Sequence, residues 1–533
     1  MADRPLPEPL PADLPEDWSD GQIVAPSGPS VGLSERHGYN YLMAAVNAAQ
    51  RAANTINEGF DAVSGKRTCR FVVGTSTAGW TQADCDFLCD GTDDQEEINQ
   101  AIAALPQSGG DIVILSGTYN LSEEIEVYNY NGNKPSYIAL SGGDGNPVLE
   151  CPGLQFSAGS SPTTIQLSGL TVKYTNTGTG RVSASGSISM VVRGCIFIDF
   201  TVFYGANGTP VHSAYGLLCI QNRFEIKNLS NNAAIFAQGV TNEAQSPFLI
   251  ANNVIVASPS GRYATVLHAG VMGYSSEMGV VSGNTLICGE PYPSIIVKNG
   301  IFIGNHIFNA TIEASFGAVV AGNILKGGSI SGDSGGSRGQ VNISGNKVES
   351  GNIICEGDTL VSGNCVSPPD GKDGIRVINI TVGNIIGPAV SGNIIQGGEY
   401  GIHLIKPNLS GLEQSHAFIT GNRIFEVTAA PIQIESTWSQ CMVTNNMLVS
   451  GSVVDEGADN IIWGNSETPG GGGGGGVAGV SSFKGRTGAV APKTGDYTPA
   501  MVGAATEAYV NSQITQTVGT INTALDGING EVV

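Results

Sequence analysis

The sequence predicts an all-β fold in which parallel strands stack into a solenoid, with one copy of a short repeat in each rung. The repeat is clearest in VVSGNTLICG, residues 280–289, and its Asn recurs every 18 to 31 residues through the middle of the chain. Repeats of this length built from β-forming residues are typical of solenoids. The aligned asparagines are Asn284, Asn305, Asn323, Asn346, Asn364, Asn393, Asn422, Asn446 and Asn465, with weaker copies at Asn253, Asn222 and Cys195.

Each repeat also alternates between apolar and mixed positions. The residue three before the Asn is apolar in nearly every copy, and so is the residue two after it, which predicts that both point inward. The residue directly after the Asn is chemically mixed, as an outward position would be. The Gly-Asn pair predicts a tight corner because both residues tolerate positive φ. We therefore predict strand, corner, strand in every copy, with these asparagines as structural corner residues.

The composition and charge of the chain exclude several classes of protein. The chain has 533 residues, 75 of them Gly, with 41% hydrophobic and 13% charged residues, which favours a long core over disorder. A net charge of −22 argues against a nucleic-acid partner. The apolar runs are too short to span a bilayer, so no membrane insertion is predicted. The first twenty residues are acidic and Pro-rich, unlike a secretion signal.

The ten cysteines show no CxxC pair and no Cys/His cluster at zinc spacing. Several lie inside repeats, where Cys acts as a small hydrophobe, so we expect buried free thiols and assembly in a reducing cytoplasm. A disulfide stays open only for Cys85 and Cys89. The acidic stretch 90–97 lacks the spacing of an EF-hand loop and is explained by carboxylates at a helix start. We predict no metal site and no cofactor.

Residues 1–66 begin with a Pro-rich stretch and continue into a predicted helix. Its apolar residues follow heptad spacing, which is typical of helices that associate. The alternatives are a self-associating bundle, for which we predict a trimer, and an amphipathic helix lying on the next domain. The heptad residues are Leu42, Val46, Ala49, Ala53, Ile56, Phe60 and Val63.

Residues 67–149 predict a short helix capped by Asp93 or Asp94 and ended by Pro106, followed by a first strand pair in DIVILSGTYNL. The helix is predicted to bury Ile98, Ala101, Ile102 and Leu105. The pattern DGTDDQEEINQAI…GGDIVILSGTYNL resembles the start of right-handed parallel β-helix proteins, including pectate-lyase-like folds and phage tailspikes. This resemblance implies that the helix covers the N-terminal end of the solenoid, which would otherwise expose a core and a strand edge.

Residues 150–466 are predicted to form the parallel β-helix rod. Steps of 31 on both sides of Asn253 and of 29 on both sides of Asn393 must place extra residues in loops. Loops on a rigid scaffold often carry recognition, although ordinary covering loops are the alternative. The predicted ligand-contact residues are Tyr263, His268, Tyr274, Tyr292, Tyr400 and Trp438.

Catalysis on a glycan would need two suitably spaced carboxylates, or a base with a charge-stabilising group. The candidates are Asp199 with Glu225, and Glu399 with His403, and each is explained more simply as a solvated surface residue. The sequence matches no enzyme signature, so it favours a binding protein. A polysaccharide lyase or glycosidase is the alternative, and it depends on fold analogy.

The end of the chain divides into three segments. Residues 467–479 contain seven consecutive glycines and predict a flexible linker. Residues 480–505, SFKGRTGAVAPKTGDYTPAMVGA in part, resemble a small module near the C-termini of phage tail-fibre and baseplate-associated proteins. Residues 506–533 predict a trimeric coiled coil that needs partner copies, because glycines weaken it as a single helix. Its heptad residues are Ile514, Val518, Ile521, Leu525, Ile528 and Val532.

A third resemblance lies at the start, where GLSERHGYNYLMAAVNAAQRAAN is similar to the opening of prophage tail proteins of Gram-positive gut bacteria. Together the resemblances imply a homotrimeric receptor-binding tail fibre or tailspike. It would be a virion protein assembled in the host cytoplasm, attached to tail or baseplate proteins through its N-terminus, and bound to a host cell-surface polysaccharide. The alternatives are a polysaccharide depolymerase on the same fold and a bacterial surface adhesin, which the missing secretion signal and wall anchor disfavour.

Overall fold

A computed structural model describes residues 69–467, except 130–134, 144, 177–178, 206–215, 230–232, 241–247, 260–264, 273–278, 291, 334–339, 379–386, 406–415 and 450. It also describes residues 482–483, 486–487 and 512. The chain divides into two compact units, 1–470 and 471–533, and the boundary lies in the glycine run. The heptad segments predicted at both ends lie outside the described residues, apart from Ser512.

The first unit is a solenoid of parallel strands. Successive rungs pair in register along three ladders, which we call ladders 1, 2 and 3 in the order in which a rung passes through them. Gly153–Ser168 and Gly180–Arg193 run through a corner without a break, so each belongs to ladder 3 with its first half and to ladder 1 with its second half. Among the described residues no helix is long and apolar enough to cross a membrane.

Ladder 1 contains the strands that precede the repeat Asn. They are Cys69–Thr75, Gly110–Ile114, Tyr137–Gly142, Gly153–Ser168, Gly180–Arg193, Gly216–Ile220, Phe248–Ala251, Gly279–Ser282, Gly300–Ile303, Val319–Ala321, Val341–Ser344, Thr359–Ser362, Ala389–Ser391, Phe418–Thr420, Met442–Thr444 and Ile461–Trp463.

Ladder 2 contains the strands that follow the repeat Asn. They are Thr118–Asn120, Val148–Glu150, Thr171–Lys173, Ile196–Ile198, Arg223–Leu229, Val254–Pro259, Thr285–Cys288, His306–Phe308, Ile324–Lys326, Lys347–Glu349, Cys365–Ser367, Ile394–Gln396, Arg423–Phe425, Met447–Leu448 and Ser466–Glu467.

Ladder 3 completes each rung. Besides the two shared strands it contains Ile125–Asn129, Phe200–Tyr204, Ile235–Val240, Thr265–Met272, Ser294–Lys298, Thr311–Ser315, Ile330–Asp333, Ile353–Glu356, Ile375–Ile378, Tyr400–Ile405, Ala430–Ile434 and Val453–Asp455. In the second unit, Ser482–Phe483 and Arg486–Thr487 form an antiparallel pair within the GRTGAV segment.

The N-terminal end of the solenoid carries the predicted helix. It spans Gln95–Ala104, and Ile98, Ala101 and Ile102 are buried in the continuous core. A short 3-10 helix, Ser76–Ala78, and a strand, Phe87–Cys89, lie beside it. The first strand of ladder 1 is Cys69–Thr75, which pairs with Gly110–Ile114. The prediction that DIVILSGTYNL begins the sheet was therefore wrong by one strand.

The repeat frame predicted the core correctly. From Asn222 through Asn446, the residues three before and two after the Asn are buried, as Val281 and Leu286 illustrate around Asn284. The residues directly after the Asn are exposed, like Arg223 and Lys347, or half-buried, like Thr285. Alternation along a strand sends successive side chains to opposite faces, so one apolar row from each ladder fills the interior.

Each Gly-Asn pair lies at a corner between two strands, as predicted, but the expectation of positive φ was right for the glycines and wrong for the asparagines. Gly283 and Gly304 take the left-handed conformation with φ of 63°, whereas the Asn that follows each of them does not have positive φ. Asn284 is only 1% exposed and Asn305 is fully buried. The asparagines therefore point inward, and their side chains need hydrogen-bond partners inside the solenoid.

Those partners are the asparagines of the neighbouring rungs. The backbone N–H and the Nδ2 of Asn346 both donate to Oδ1 of Asn364 at 2.9 Å, and Nδ2 also donates to the carbonyl of Val320 at 2.9 Å. Oδ1 of Asn346 in turn accepts from the N–H and Nδ2 of Asn323. This pattern runs from Asn222 to Asn465, and Cys195 donates its N–H to Asn222 at the start. Every polar group of the buried amide is satisfied.

Replacing an interior ladder residue should destabilise the solenoid. In Asn346→Leu, the N–H and Nδ2 of Asn323 lose their acceptor, and Oδ1 of Asn364 and the carbonyl of Val320 lose donors. A buried unsatisfied group costs about 1–3 kcal/mol, so we expect a loss of at least about 2 kcal/mol in the free energy of unfolding.

Denaturant unfolding measures this loss, with Asn465→Leu as the matched control. Asn465 ends the ladder and is only partly buried. Its replacement orphans the N–H and Nδ2 of Asn446 on one side, beside a position that water can reach, and should cost less than Asn346→Leu. Equal destabilisation by the two substitutions would show that the amide ladder does not carry the effect.

Candidate functional site

A group of charged and polar side chains lies on the exterior of ladder 3 in the C-terminal third of the rod. Arg376, His403 and Gln433 occupy the same outward position on three successive rungs. Asp333 and Glu356 are likewise paired in register on two earlier rungs, one outward position further along their strands. The parallel register therefore brings chain segments about 100 residues apart onto one patch, with rungs about 4.8 Å apart.

His403 lies between two carboxylates. Its Nδ1 is 3.3 Å from Oδ2 of Asp373, and its Nε2 is 3.1 Å from Oε1 of Glu435. The side chains of His403 and Asp373 are 13% and 14% exposed, and that of Glu435 is 30% exposed. A neutral imidazole donates through one nitrogen only, whereas an imidazolium can donate to both carboxylates at once.

An aromatic ring and a guanidinium complete this part of the site. The ring of Tyr400 lies against His403 with 4.3 Å between ring centroids. Nε of Arg376 is 4.0 Å from Oδ2 of Asp373, and it is buried with no hydrogen-bond partner among the described residues. The guanidinium is thus held beside a carboxylate, while its side chain stays 43% exposed.

Glu356 lies in an environment that disfavours its charged form. Burial is the main cause, the neighbouring Asp333 adds to it, and Arg376 opposes it, so the pKa of the Glu356 carboxyl is raised above its ordinary value. A carboxyl whose neutral form is favoured is suited to donate a proton, and Asp333 supplies a second carboxyl in register beside it.

The site lies where the repeat is interrupted. Ile375–Ile378 and Tyr400–Ile405 are the strands of ladder 3 that precede the two long insertions around Asn393, residues 379–386 and 406–415. Those insertions lie outside the described residues. Of the predicted site residues, His403 and Tyr400 belong to this group, both on a strand.

Glu399 lies at the start of the same strand and is half-buried, and its N–H donates to the carbonyl of Lys372. Trp438 was predicted as a ligand contact, and this was wrong. Its side chain is fully buried in the core, and its Nε1 donates to the carbonyl of Ile405 at 3.0 Å. A large ring near a corner fills the interior there, because a solenoid core must be packed at every rung.

Asp199 and Glu225 are each engaged by their own partners. Asp199 takes a left-handed corner conformation with φ of 51°, and its Oδ1 accepts from the N–H of Lys227 at 2.7 Å. Glu225 points outward on ladder 2 and pairs with Arg223 at 2.6 Å. These contacts explain both residues as a corner and a surface ion pair.

His268 lies on the strand Thr265–Met272 and not in a loop as predicted. Its ring stacks on Phe236 at 4.6 Å, Phe236 stacks on Phe203 at 4.6 Å, and Arg181 covers the far side of Phe203 at 4.8 Å. The flat faces of both Phe rings are therefore covered by their neighbours. Burial, and secondly Lys298, lower the pKa of His268 to about 4.

The structure describes one of the three remaining tyrosines that were predicted as ligand contacts. Tyr292 is 45% exposed, so it is available to a ligand. Tyr263 and Tyr274 lie outside the described residues.

One group near the N-terminal helix could hold a metal ion by geometry. Ligand atoms of Cys89, Asp94 and Glu97 lie within 4.8 Å of one another. However, the two carboxylate oxygens of Asp94 already accept N–H groups of Gly91 and Asn120 at 2.8 Å. Burial, mainly, also raises the pKa of the Cys89 thiol, and Cys85 and Cys89 are both free. These contacts explain the group as the support of a loop.

Sequence reasoning missed Asp373, Arg376, Glu435 and the pairing of Asp333 with Glu356. Arg376, His403 and Gln433 are in register although they lie 12, 10 and 11 residues after their own repeat Asn. Corner lengths between ladders 2 and 3 vary from rung to rung, so counting from the Asn does not align ladder 3. No short motif marks the group either.

Comparison with known proteins adds no further constraint on this site. No protein-family model, curated protein or solved structure matches the chain. The chemistry of the site is therefore argued from its own residues.

The buried imidazole of His268 should make the solenoid sensitive to acid. Its pKa is lowered from 6.5 to about 4, so between these values the unfolded chain binds a proton that the folded chain does not. Stability is therefore fully present above pH 6.5 and is lost as the pH falls toward 4. His268→Phe keeps an aromatic ring beside Phe236 that cannot be protonated. It should therefore remove the loss of stability that His268 causes as the pH falls toward 4.

Melting temperatures at pH 7.5 and pH 4.5 test this. The difference in melting temperature between His268→Phe and wild type should be larger at pH 4.5 than at pH 7.5. His306→Phe, at an exposed position on ladder 2, should show no such increase. An equal pH dependence in all three proteins would contradict the role of His268.

Proposed function

We propose that this protein is a receptor-binding tail fibre or tailspike of a phage or phage-tail-like particle, and that its rod binds a host cell-surface glycan. The resemblances at the start, in residues 89–121 and in the GRTGAV module support this proposal. The observation that carries it is the group around His403, Asp373 and Glu435, set on the outside of a rigid solenoid beside the two long insertions.

The chemistry of this group suits a sugar. Carboxylates of Asp373 and Glu435 accept hydrogen bonds from hydroxyls, and the guanidinium of Arg376 donates to hydroxyl or carboxylate oxygens. The ring of Tyr400 offers an apolar surface to the carbon face of a pyranose. Arg376 and Tyr400 lie on strands that are paired on both sides, and Asp373 and Glu435 lie within two residues of such strands and contact His403, so little order has to be gained on binding.

The proposed assembly is a homotrimer with a right-handed β-helix body. The N-terminal segment 1–66 would attach to tail or baseplate proteins, and residues 480–533 would register the three copies. Three weak glycan sites on one particle gain avidity without new contacts. In this proposal the protein is part of the virion and is assembled in the host cytoplasm.

A pair of arginine variants tests glycan recognition. Arg376→Ala removes the guanidinium from the proposed site and should weaken adsorption to host cells by about tenfold, the effect of losing one charge-assisted contact. Arg423→Ala removes an arginine from the exterior of ladder 2, where it lies 5.5 Å from the ring of Phe425, and should leave adsorption unchanged. Adsorption is measured as the fraction of particles or purified protein retained by host cells. Equal effects of the two variants would remove the site from the proposal.

A second candidate function is depolymerisation of the same glycan. The specific observation is the register pair of Asp333 and Glu356 on adjacent strands, with the pKa of Glu356 raised. In-register side chains lie about 5 Å apart at Cβ, and the two carboxyls of retaining glycosidases are separated by about 5–5.5 Å. Glu356 would then be the general acid and Asp333 the nucleophile.

Incubation with host polysaccharide tests this second function. A hydrolase shortens the chains and creates reducing ends, and Glu356→Gln should lower that rate by at least about 10²-fold because the acid is lost. Glu349→Gln, an outward glutamate on ladder 2 paired with Lys347, should keep the wild-type rate. Unshortened chains with wild-type protein would reject hydrolysis and leave glycan binding as the function.

A further inference from the structure

The exterior of ladder 1 carries no charge over ten consecutive strands, from Phe248–Ala251 to Ile461–Trp463. Each of these strands has one outward residue before and one after a central inward residue. Register pairing places the outward residues of successive strands side by side, so they form two rows along the rod. The first row is Leu249, Val280, Ile301, Val319, Asn342, Leu360, Ala389, Phe418, Met442 and Ile461. The second is Ala251, Ser282, Ile303, Ala321, Ser344, Ser362, Ser391, Thr420, Thr444 and Trp463.

The other two exteriors are different. Ladder 2 carries the ion pairs of Arg223 with Glu225 and of Lys347 with Glu349. Ladder 3 carries the charged group around His403. In a chain of net charge −22, the absence of charge on this face points to contacts between copies only where the face is exposed, because the middle of the first row, from Val280 to Leu360, is buried within the single chain.

The exposed fraction of the first-row side chains rises toward the C-terminal end of the rod. Val280, Ile301 and Val319 are 0–3% exposed within the single chain. Phe418, Met442 and Ile461 are 41%, 38% and 51% exposed, and Trp463 beside them is 60% exposed. These four large side chains form a contiguous apolar surface on the last three rungs, which we call the apolar patch. Exposed apolar surfaces of this kind mark interaction sites in soluble proteins.

We propose that the apolar patch is the face through which copies of this chain pack against one another. The inference rests on the homotrimer of the proposed function and names the surface that forms it. The occupant is the same patch on a second copy.

The absence of charge on the patch favours a second copy of the chain as its occupant. Two copies each carry a net charge of −22, so they repel unless the surfaces that meet are free of charge. Of the three exteriors described, that of ladder 1 meets this condition where it is exposed, on the last three rungs. A polysaccharide would find only the hydroxyls of Thr420 and Thr444 and the indole N–H of Trp463 as polar side-chain groups there, whereas a second copy would cover Phe418, Met442 and Ile461 with apolar atoms.

Symmetry agrees with the position of the patch. The heptad repeats at 42–63 and 514–532 predict that the copies run parallel. The same rung of each copy then lies at the same position along a common axis. Met442 of one copy would then lie near Met442 of the next, and apolar side chains would meet apolar side chains on every one of the last three rungs.

A pair of cysteine variants on one rung tests the inference. Met442→Cys lies on ladder 1 and Met447→Cys on ladder 2, and the two methionines are 38% and 42% exposed. Both are made with Cys365→Ser, which removes the described exposed thiol on ladder 2. After treatment with a short bismaleimide, Met442→Cys should give about tenfold more covalent dimer than Met447→Cys on a denaturing gel, because only ladder 1 faces the axis.

A charge placed on the patch gives an independent measurement. Met442→Glu should raise the protein concentration at which half of the oligomer dissociates by at least about tenfold in sedimentation equilibrium. Met447→Glu should leave it unchanged. Circular dichroism melting of both variants shows whether each solenoid is still folded.

The outcomes separate the inference from the proposed function. A wild-type trimer in which Met442→Cys crosslinks no better than Met447→Cys overturns the apolar patch and leaves the fibre intact. A wild-type monomer overturns the homotrimer and the patch together. Adsorption to host cells is measured separately, so loss of glycan binding by Arg376→Ala does not bear on the patch.

Discussion

The buried asparagine ladder is the interaction on which the rest of the solenoid depends. A buried amide is costly unless its two donors and its acceptor are satisfied, and here each Asn satisfies the next. This constraint holds the rungs from Asn222 to Asn465 at one angular position, because a rung that rotated or slipped would leave amides on both sides without partners. Ladders 1 and 2 are therefore in register over the full length of the ladder, whatever the length of the insertions between them.

A fixed register also explains how a polar group can assemble from distant parts of the chain. Asp373, His403 and Glu435 are about 30 residues apart in sequence and come together because successive rungs stack on ladder 3. His403 lies on a strand that is paired on both sides, and Asp373 and Glu435 lie just before and just after the neighbouring strands, so paired backbone holds all three side chains close together. The same register gives the rod three different exteriors: charged on ladder 2, polar with a candidate site on ladder 3, and uncharged on the last ten strands of ladder 1.

Much of the fold could be predicted from the sequence, and less of the candidate site. The inward rows, the outward position after each Asn, the helix Gln95–Ala104 and the glycine corners follow from local pattern. Trp438 was misplaced because aromatic residues near a corner can either fill the core or face a ligand, and sequence does not distinguish the two. His268 was assigned to a loop because its neighbours vary, although stacking on Phe236 makes it part of a strand.

The sequence by itself determined that this chain stacks rungs, since a period of 18 to 31 residues with inward apolar positions has few other solutions. Only the tertiary structure decided which outward residues are neighbours. Corner lengths between ladders 2 and 3 differ among rungs, so Arg376 and His403 align through backbone pairing and not through a constant spacing. It also decided that the repeat Asn turns inward, because the satisfaction of a buried amide depends on the next rung, which no single repeat contains.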